Sequence, residues 1–235
     1  MKGKDYGPQT FIVPIRSMKD HMPLPGVEVG DIGPKHGYQN KDNGYAFFTN
    51  VRVPRSALLC RYIRVSREGQ VARQGNPKVA YFTMMFTRIL IIGETYGYLS
   101  RPLIIALRYS AFRTQFKTAE RNSERAVLNY QNQQYRLVPY LASAYAFFFA
   151  TKRVKGMFGE METQITKGDT SKLGELHRVL SAFKAFMTWE TLQGCEECRQ
   201  ACGGQGFLEY SGISQEVLDY AARCTYEGDN AVLAQ

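Results

Sequence analysis

Leu173-Gly174-Glu175-Leu176-His177-Arg178-Val179-Leu180-Ser181-Ala182-Phe183-Lys184-Ala185-Phe186-Met187 repeats its large apolar side chains at 173, 176, 180, 183 and 187. Steps of three and four residues put them on one stripe of a helix, where a strand would alternate at every second position. Working back, Leu137, Leu141, Ala144 and Phe148 make a second stripe, and Phe82, Phe86, Ile89, Gly93 and Tyr96 a third, on a helix expected to run over 82–116. Gly168-Asp169-Thr170 supplies a break and a cap between the later two helices. Gly203-Gly204-Gln205-Gly206 stops the last one, and a short helix is expected over 214–222. Three long amphipathic helices bury their stripes best with a fourth, so a four-helix bundle is the natural packing. The fourth helix would begin near Asp229 or Asn230.

Before Pro77 the texture is different. Thr10-Phe11-Ile12-Val13-Pro14-Ile15-Arg16 reads as a strand, Pro25-Gly26 as a turn into Val27-Glu28-Val29-Gly30, and 45–53 as a further strand closed by Pro54. The segment 33–44 is a polar, glycine-punctuated loop. The fold class expected is therefore α+β: a partial antiparallel β domain over 1–76, with too few strands to stand alone, then an antiparallel helical bundle over 77–235. Both ends of the sequence read as cut, with the last helix stopping after barely a turn, as in a piece of a longer protein.

The bulk numbers exclude several classes. The chain has 235 residues, 44% of them hydrophobic and 22% charged, as in ordinary globular domains. No run approaches the roughly 18 apolar residues of a membrane span. The most apolar candidate, 140–150, is broken by Ser143 and bounded by Lys152 and Arg153. The first five residues, Met1-Lys2-Gly3-Lys4-Asp5, lack the apolar core of a secretory signal. Net charge is +9, spread along the chain, with a modest cluster at Arg108, Arg113, Lys117, Arg121 and Arg125. A solvated basic surface accounts for it first, phosphate-bearing ligands second and nucleic acid third, with no zinc-finger or RNP pattern present.

Five cysteines, three of them in Cys195-Glu196-Glu197-Cys198-Arg199-Gln200-Ala201-Cys202, do not form a secreted disulfide framework. Their first pair has C-x-x-C spacing, but no second such pair follows. Positions 195, 198 and 202 continue the apolar stripe of the third long helix, so packing is expected and no metal site. His21, His36 and His177 are scattered without a nucleophile beside them, which gives no support to a hydrolase triad. Gly203-Gly204-Gln205-Gly206-Phe207 follows a helix, unlike a dinucleotide fingerprint or P-loop, although bare backbone there lets a bulky ligand approach. Arg113 lies near the expected end of the first helix, where it can complement the helix dipole or grip a pyrophosphate.

Cys224-Thr225-Tyr226-Glu227-Gly228-Asp229-Asn230 sets one carboxylate between an aromatic ring and a glycine, ahead of two helix-capping side chains. By itself it is either an exposed turn or a general base, since an acid held in an apolar pocket is a stronger base than one in water.

Taken in order, Phe11-Ile12-Val13-Pro14-Ile15-Arg16, Gly30-Asp31-Ile32-Gly33-Pro34-Lys35, Asp42-Asn43-Gly44, Asn50-Val51-Arg52-Val53-Pro54-Arg55, Arg113-Thr114-Gln115-Phe116, the 195–207 segment and Thr225-Tyr226-Glu227-Gly228-Asp229-Asn230 resemble the acyl-CoA oxidase family, within the wider acyl-CoA dehydrogenase superfamily. The match runs along nearly the whole chain. The resemblance implies an N-terminal helical domain and a far C-terminal domain beyond this stretch, a central β domain and a helical bundle. It implies FAD at a homodimer interface and a peroxisomal location. The family reaction converts acyl-CoA to trans-2-enoyl-CoA, with electrons passing to O2 to give H2O2. By position Glu227 is then the base that takes the α proton. Arg113, Gln115, Phe116, Gln200, Gly203, Gly204 and Asp229 contact the flavin, Arg113 that of the partner subunit. Arg88, Tyr226 and Gly228 face the substrate. Some relatives carry the base just before the arginine of the first bundle helix; Thr87 stands there and cannot serve. Gln200, where many oxidases have Glu, is the dehydrogenase-like choice. An acyl-CoA dehydrogenase using a carrier flavoprotein, and a non-catalytic interaction fragment, are the alternatives, and the 235-residue stretch alone is expected to bind FAD poorly and to be inactive.

Overall fold

The computed structural model describes residues 6–7, 9–61, 63–73, 82–118 and 121–235. The expected texture change at Pro77 and the first five residues lie outside them. The chain divides into two compact units, one built from 1–34 and 40–80, the other from 35–39 and 81–235.

In the first unit β1 (Val27–Asp31) pairs antiparallel with β2 (Gly44–Phe48), with Val27 opposite Phe48 and Asp31 opposite Gly44. The expected strand over 45–53 ends early because Asn50 adopts φ 53°, outside the extended region. A second hairpin joins β3 (Ile63–Val65) to β4 (Val71–Arg73). The expected strand over 10–16 is reduced to isolated bridges, Phe11 to Leu58 and Arg16 to Pro23. Pro14 has no N–H to give a ladder, and it interrupts the run at its centre.

In the second unit three long helices share one core: α1 (Phe82–Phe112), α2 (Gln131–Thr166) and α3 (Leu173–Ala201). Contacts fix their directions. Ser110 meets Gln133 and Ile92 meets Thr151, so α1 and α2 are antiparallel. Arg88 meets Ser181 and Tyr98 meets Cys195, so α1 and α3 run the same way. The core stripe of α1 is Met85, Ile89, Ile92, Leu99, Leu103 and Ala106. Phe86, placed in that stripe from sequence, is instead half exposed at 50%. On α2, Leu137 and Ala144 are buried as expected, but Phe147, Val154 and Met161 complete the face while Leu141 lies at its edge. On α3, Leu173, Leu176, Leu180 and Met187 are all buried. Each such side chain contributes about 1.5–3 kcal/mol of transfer free energy.

The three helices come close together at Gly194, where a Cβ would sit 2.5 Å from Leu99 Cδ1 and 2.7 Å from Tyr140 Cδ1. The cysteine stripe continues this contact, with Cys195, Cys198 and Cys202 buried. Pro102 lies inside α1 and has no N–H for the carbonyl of Tyr98. The Cys195 thiol donates to that carbonyl at 3.6 Å instead.

The first helix stops at Phe112 and does not reach 116. Thr114–Thr118 forms β5, paired antiparallel with β6 (Arg121–Ala126). A β-branched residue opens the segment, and Phe116 takes φ 59° where the register shifts between Gln115 and Lys117, a bulge that a helix cannot accommodate. After α3 come the single turn α4 (Gly204–Phe207), α5 (Ile213–Ala221) and α6 (Asn230–Leu233).

Candidate active site

The 224–229 loop joins a 3-10 turn at its start to α6 at its end. Its backbone turns through two consecutive positive φ angles, 58° at Glu227 and 105° at Gly228. Glycine adopts such angles freely, whereas for glutamate the left-handed region costs on the order of 1 kcal/mol or more and persists only where neighbours enforce it. A Cβ on Gly228 would lie 3.0 Å from Leu233 Cδ2 and 3.2 Å from Arg88 Nη2.

Two buried cations enforce the turn through backbone oxygens. Arg88, on α1, donates from Nε to the Glu227 carbonyl at 3.0 Å and from Nη1 to Ser181 Oγ at 3.0 Å. Lys184, on α3 and fully buried, donates to Cys224 O at 3.2 Å, Gly228 O at 2.6 Å and Asn230 Oδ1 at 2.9 Å. Three acceptors match the three protons of its ammonium. Burial lowers its pKa; the neighbouring Cys224, Asp229 and Glu227 oppose that shift and Arg88 adds to it. Asn230 also donates to Thr188 Oγ1 at 2.9 Å. Asp229 accepts from Ala231 N at 2.9 Å as the N-cap of α6.

The side chain of Glu227 points back to α1, where Thr87 Oγ1 donates to its Oε2 at 2.9 Å. Beside it, burial pushes the Tyr226 phenol up to about 12, so this ring keeps its proton at neutral pH. Glu227, Tyr226, Gly228, Asp229 and Arg88 are thus brought together. Arg88 is 6% exposed, with its guanidinium on the loop and Ser181.

The other expected site residues sit elsewhere in the same unit. Gln133 Nε2 donates to both Ser110 Oγ and Ala201 O at 2.9 Å, so the C-terminal ends of α1 and α3 meet there. The exposed Arg113 and the β5 residues Gln115 and Phe116 follow α1 at this end. Gln200, which donates to Glu196 Oε1 at 2.8 Å, and Gly203 and Gly204 lie at the end of α3. Nothing lies within 4 Å of a Cβ built on either glycine, so the backbone is open to a ligand. From Arg88 to the end of α1 is roughly 35 Å at helical rise. The residues expected around the acid and most of those expected around the flavin therefore form two separate groups on this chain.

Lys184, Ser181 and Thr188 escaped the sequence reading as site residues. The signal for Lys184 was present: 180, 184 and 187 share the apolar stripe, and a lysine buried in a core stripe needs a partner.

The family model described as acyl-CoA oxidase, C-alpha1 domain, matches residues 81–235. Mouse peroxisomal acyl-coenzyme A oxidase 1 is 43% identical over 232 residues, covering 99% of this chain and 35% of that protein. Arabidopsis thaliana acyl-CoA oxidase 1 superposes with a TM-score of 0.94 at 42% identity, over 99% of this chain and 36% of that one. Acyl-CoA oxidase-2 of Caenorhabditis elegans, solved with FAD, ascaroside-CoA and ATP, gives a TM-score of 0.93 at 40% identity, over 99% and 35% of the two chains. The chain spans about a third of the length of these relatives. The family model over residues 81–235 and 43% identity across 99% of the chain place this protein in the acyl-CoA oxidase family.

Proposed function

We propose that the protein containing this chain oxidises acyl-CoA esters to trans-2-enoyl-CoA, with electrons passed to O2 to give H2O2, and that Glu227 is the base. The observation that carries the reading is the geometry of Glu227. Its backbone is held in a left-handed turn by Arg88 and Lys184 through carbonyl oxygens, while its carboxylate turns to the Thr87 hydroxyl. One carboxylate suffices for removal of the proton next to a thioester carbonyl, provided that an acceptor takes the hydride from the β carbon. Bound FAD supplies that acceptor and the onward route of the electrons to O2.

The residues present suit such a cofactor. Arg113 presents an exposed guanidinium of the kind that grips pyrophosphate, and Gly203 and Gly204 offer open backbone. With Gln115, Phe116, Gln200 and Asp229 they would hold it. Tyr226 and Gly228 would flank the ester, with Arg88 acting through the loop. The distance between the two groups supports a homodimer in which Arg113 of one copy serves the flavin of the other. In this reading residues 1–76 are the later part of a β domain, and 77–235 form most of an antiparallel four-helix bundle whose fourth member starts with α6. The location is the peroxisome, as in the names of the curated relatives. Among the described residues no helix is long and apolar enough to cross a membrane.

In the full-length enzyme, Glu227→Gln should abolish exchange of the acyl-CoA α proton with D2O while flavin absorbance is retained. Persisting exchange would move the base elsewhere. Substrate oxidation under air without peroxide would overturn the oxidase assignment in favour of a dehydrogenase.

A further inference from the structure

Thr87 stands one residue before Arg88, half buried on α1, and its hydroxyl has two acceptors in reach. Glu227 Oε2 and the Met84 carbonyl each lie 2.9 Å from Oγ1. A hydroxyl carries a single proton but accepts through its own lone pairs. With Glu227 ionised, the Thr87 proton is best placed on the carboxylate, a charge-assisted bond. With Glu227 protonated, the carboxyl O–H donates to Thr87 Oγ1, and the threonine proton turns to Met84 O. The second acceptor costs nothing to provide, because it belongs to the preceding turn of the same helix.

We propose that Thr87 is a positioning residue for Glu227, a hydroxyl that keeps the carboxyl aimed in both of its protonation states. The inference rests on Glu227 being the base. The proton taken from carbon ends on Glu227; Thr87 neither gains nor loses one and only rotates its O–H. The charged and titratable groups around the loop include Arg88 and Glu94 from α1, His177 and Lys184 from α3, Arg223 beside Tyr226, and Tyr226, Cys224 and Asp229 of the loop itself. All of them remain when Thr87 alone is replaced, so a loss repaired by serine reports the hydroxyl.

The test compares Thr87→Val, Thr87→Ser and Glu227→Gln in the full-length flavin-loaded enzyme. Measured are kcat, KM, α-proton exchange and, independently of turnover, the infrared carboxylate stretch of Glu227, which reports its hydrogen bond. Valine keeps the shape and removes the hydroxyl. It should lower kcat and α-proton exchange about tenfold with KM changed less than about twofold. Serine should restore kcat and exchange. A valine variant with wild-type kcat and exchange overturns the inference, and so does a serine variant as impaired as valine, which would assign the effect to the methyl group. Exchange surviving in Glu227→Gln removes the base on which the inference rests. Exchange lost in Glu227→Gln with Thr87→Val unaffected leaves Glu227 as the base and rejects Thr87 alone.

Discussion

Arg88 meets Glu227 at the backbone: its Nε donates to the glutamate carbonyl at 3.0 Å, while the neighbouring Thr87 reaches the carboxylate. Consecutive residues on a helix point about 100° apart, so one turn of α1 grips both ends of one amino acid. A guanidinium spent on the carbonyl fixes the direction of the side chain without placing a fixed ion pair on it. Lys184 does the same from α3, through Gly228 O and Cys224 O on either side.

Lys184→Met tests that clamp. Methionine fills much the same volume but leaves Cys224 O and Gly228 O without the lysine donor, and Asn230 Oδ1 with only the longer bond from Thr188 Oγ1. We predict a loss of about 2–4 kcal/mol in urea unfolding, the range for orphaned buried polar groups. An unchanged midpoint would show that the loop holds itself.

Gly228→Ala should disturb the loop from within. The angle of +105° is strained for alanine, and its methyl would meet Leu233 and Arg88. The expected cost is about 1–3 kcal/mol, with a fall in kcat as Glu227 shifts. Gly97→Ala is the control: it is helical, with nothing within 4 Å of the added carbon, and should stabilise by about 0.5–1 kcal/mol. Equal effects at the two positions would refute a special role for the turn.

Stability should fall on acidification through His177. Burial, and then the nearby Arg88, hold its pKa below the ordinary 6.5. As pH drops below 6.5 the unfolded chain takes up a proton that the folded chain refuses, so folding loses stability until the folded value is passed. Above 6.5 both states are neutral and the contribution is complete. Urea midpoints measured across pH 5–8 should therefore slope downward toward acid, and His177→Gln should flatten the slope. The same slope in the variant would assign the effect to other groups.

Thiol reactivity should split sharply. Cys60 is exposed, whereas Cys195, Cys198 and Cys202 are buried. Burial pushes the Cys198 thiol up to about 12 and raises Cys195 and Cys202 as well. Since the thiolate is the reactive form, a disulfide reagent should label Cys60 quickly in the native protein, Cys224 slowly and the other three only on unfolding. Rapid native labelling at Cys198 would mean that the helical core around it opens readily.

The helical part was legible where spacing alone carries the information. Leu173, Leu176, Leu180 and Met187 recur at helical period, and all four are buried. The α1 face was read slightly out of phase, because Phe82, Phe86 and Ile89 offer two overlapping stripes and only the neighbours choose between them. Where α1 ends was not legible either. Thr114-Gln115-Phe116 carries little local preference, and the pairing with Arg121–Ala126 that claims it is a contact between segments.

Sequence order and residue type were enough to set the family, the α+β class and the interest of Glu227. A glutamate before a glycine, ahead of Asp229 and Asn230, marks a capped turn wherever it occurs. Which atom of that glutamate faces which neighbour was decided only by the tertiary structure. Arg88, Thr87 and Lys184 lie 40 residues or more away along the chain. Hydrogen bonds act over about 3 Å of space, a distance that sequence separation does not measure. The helices close that distance, and so turn an ordinary capped turn into one whose carboxylate has a fixed direction.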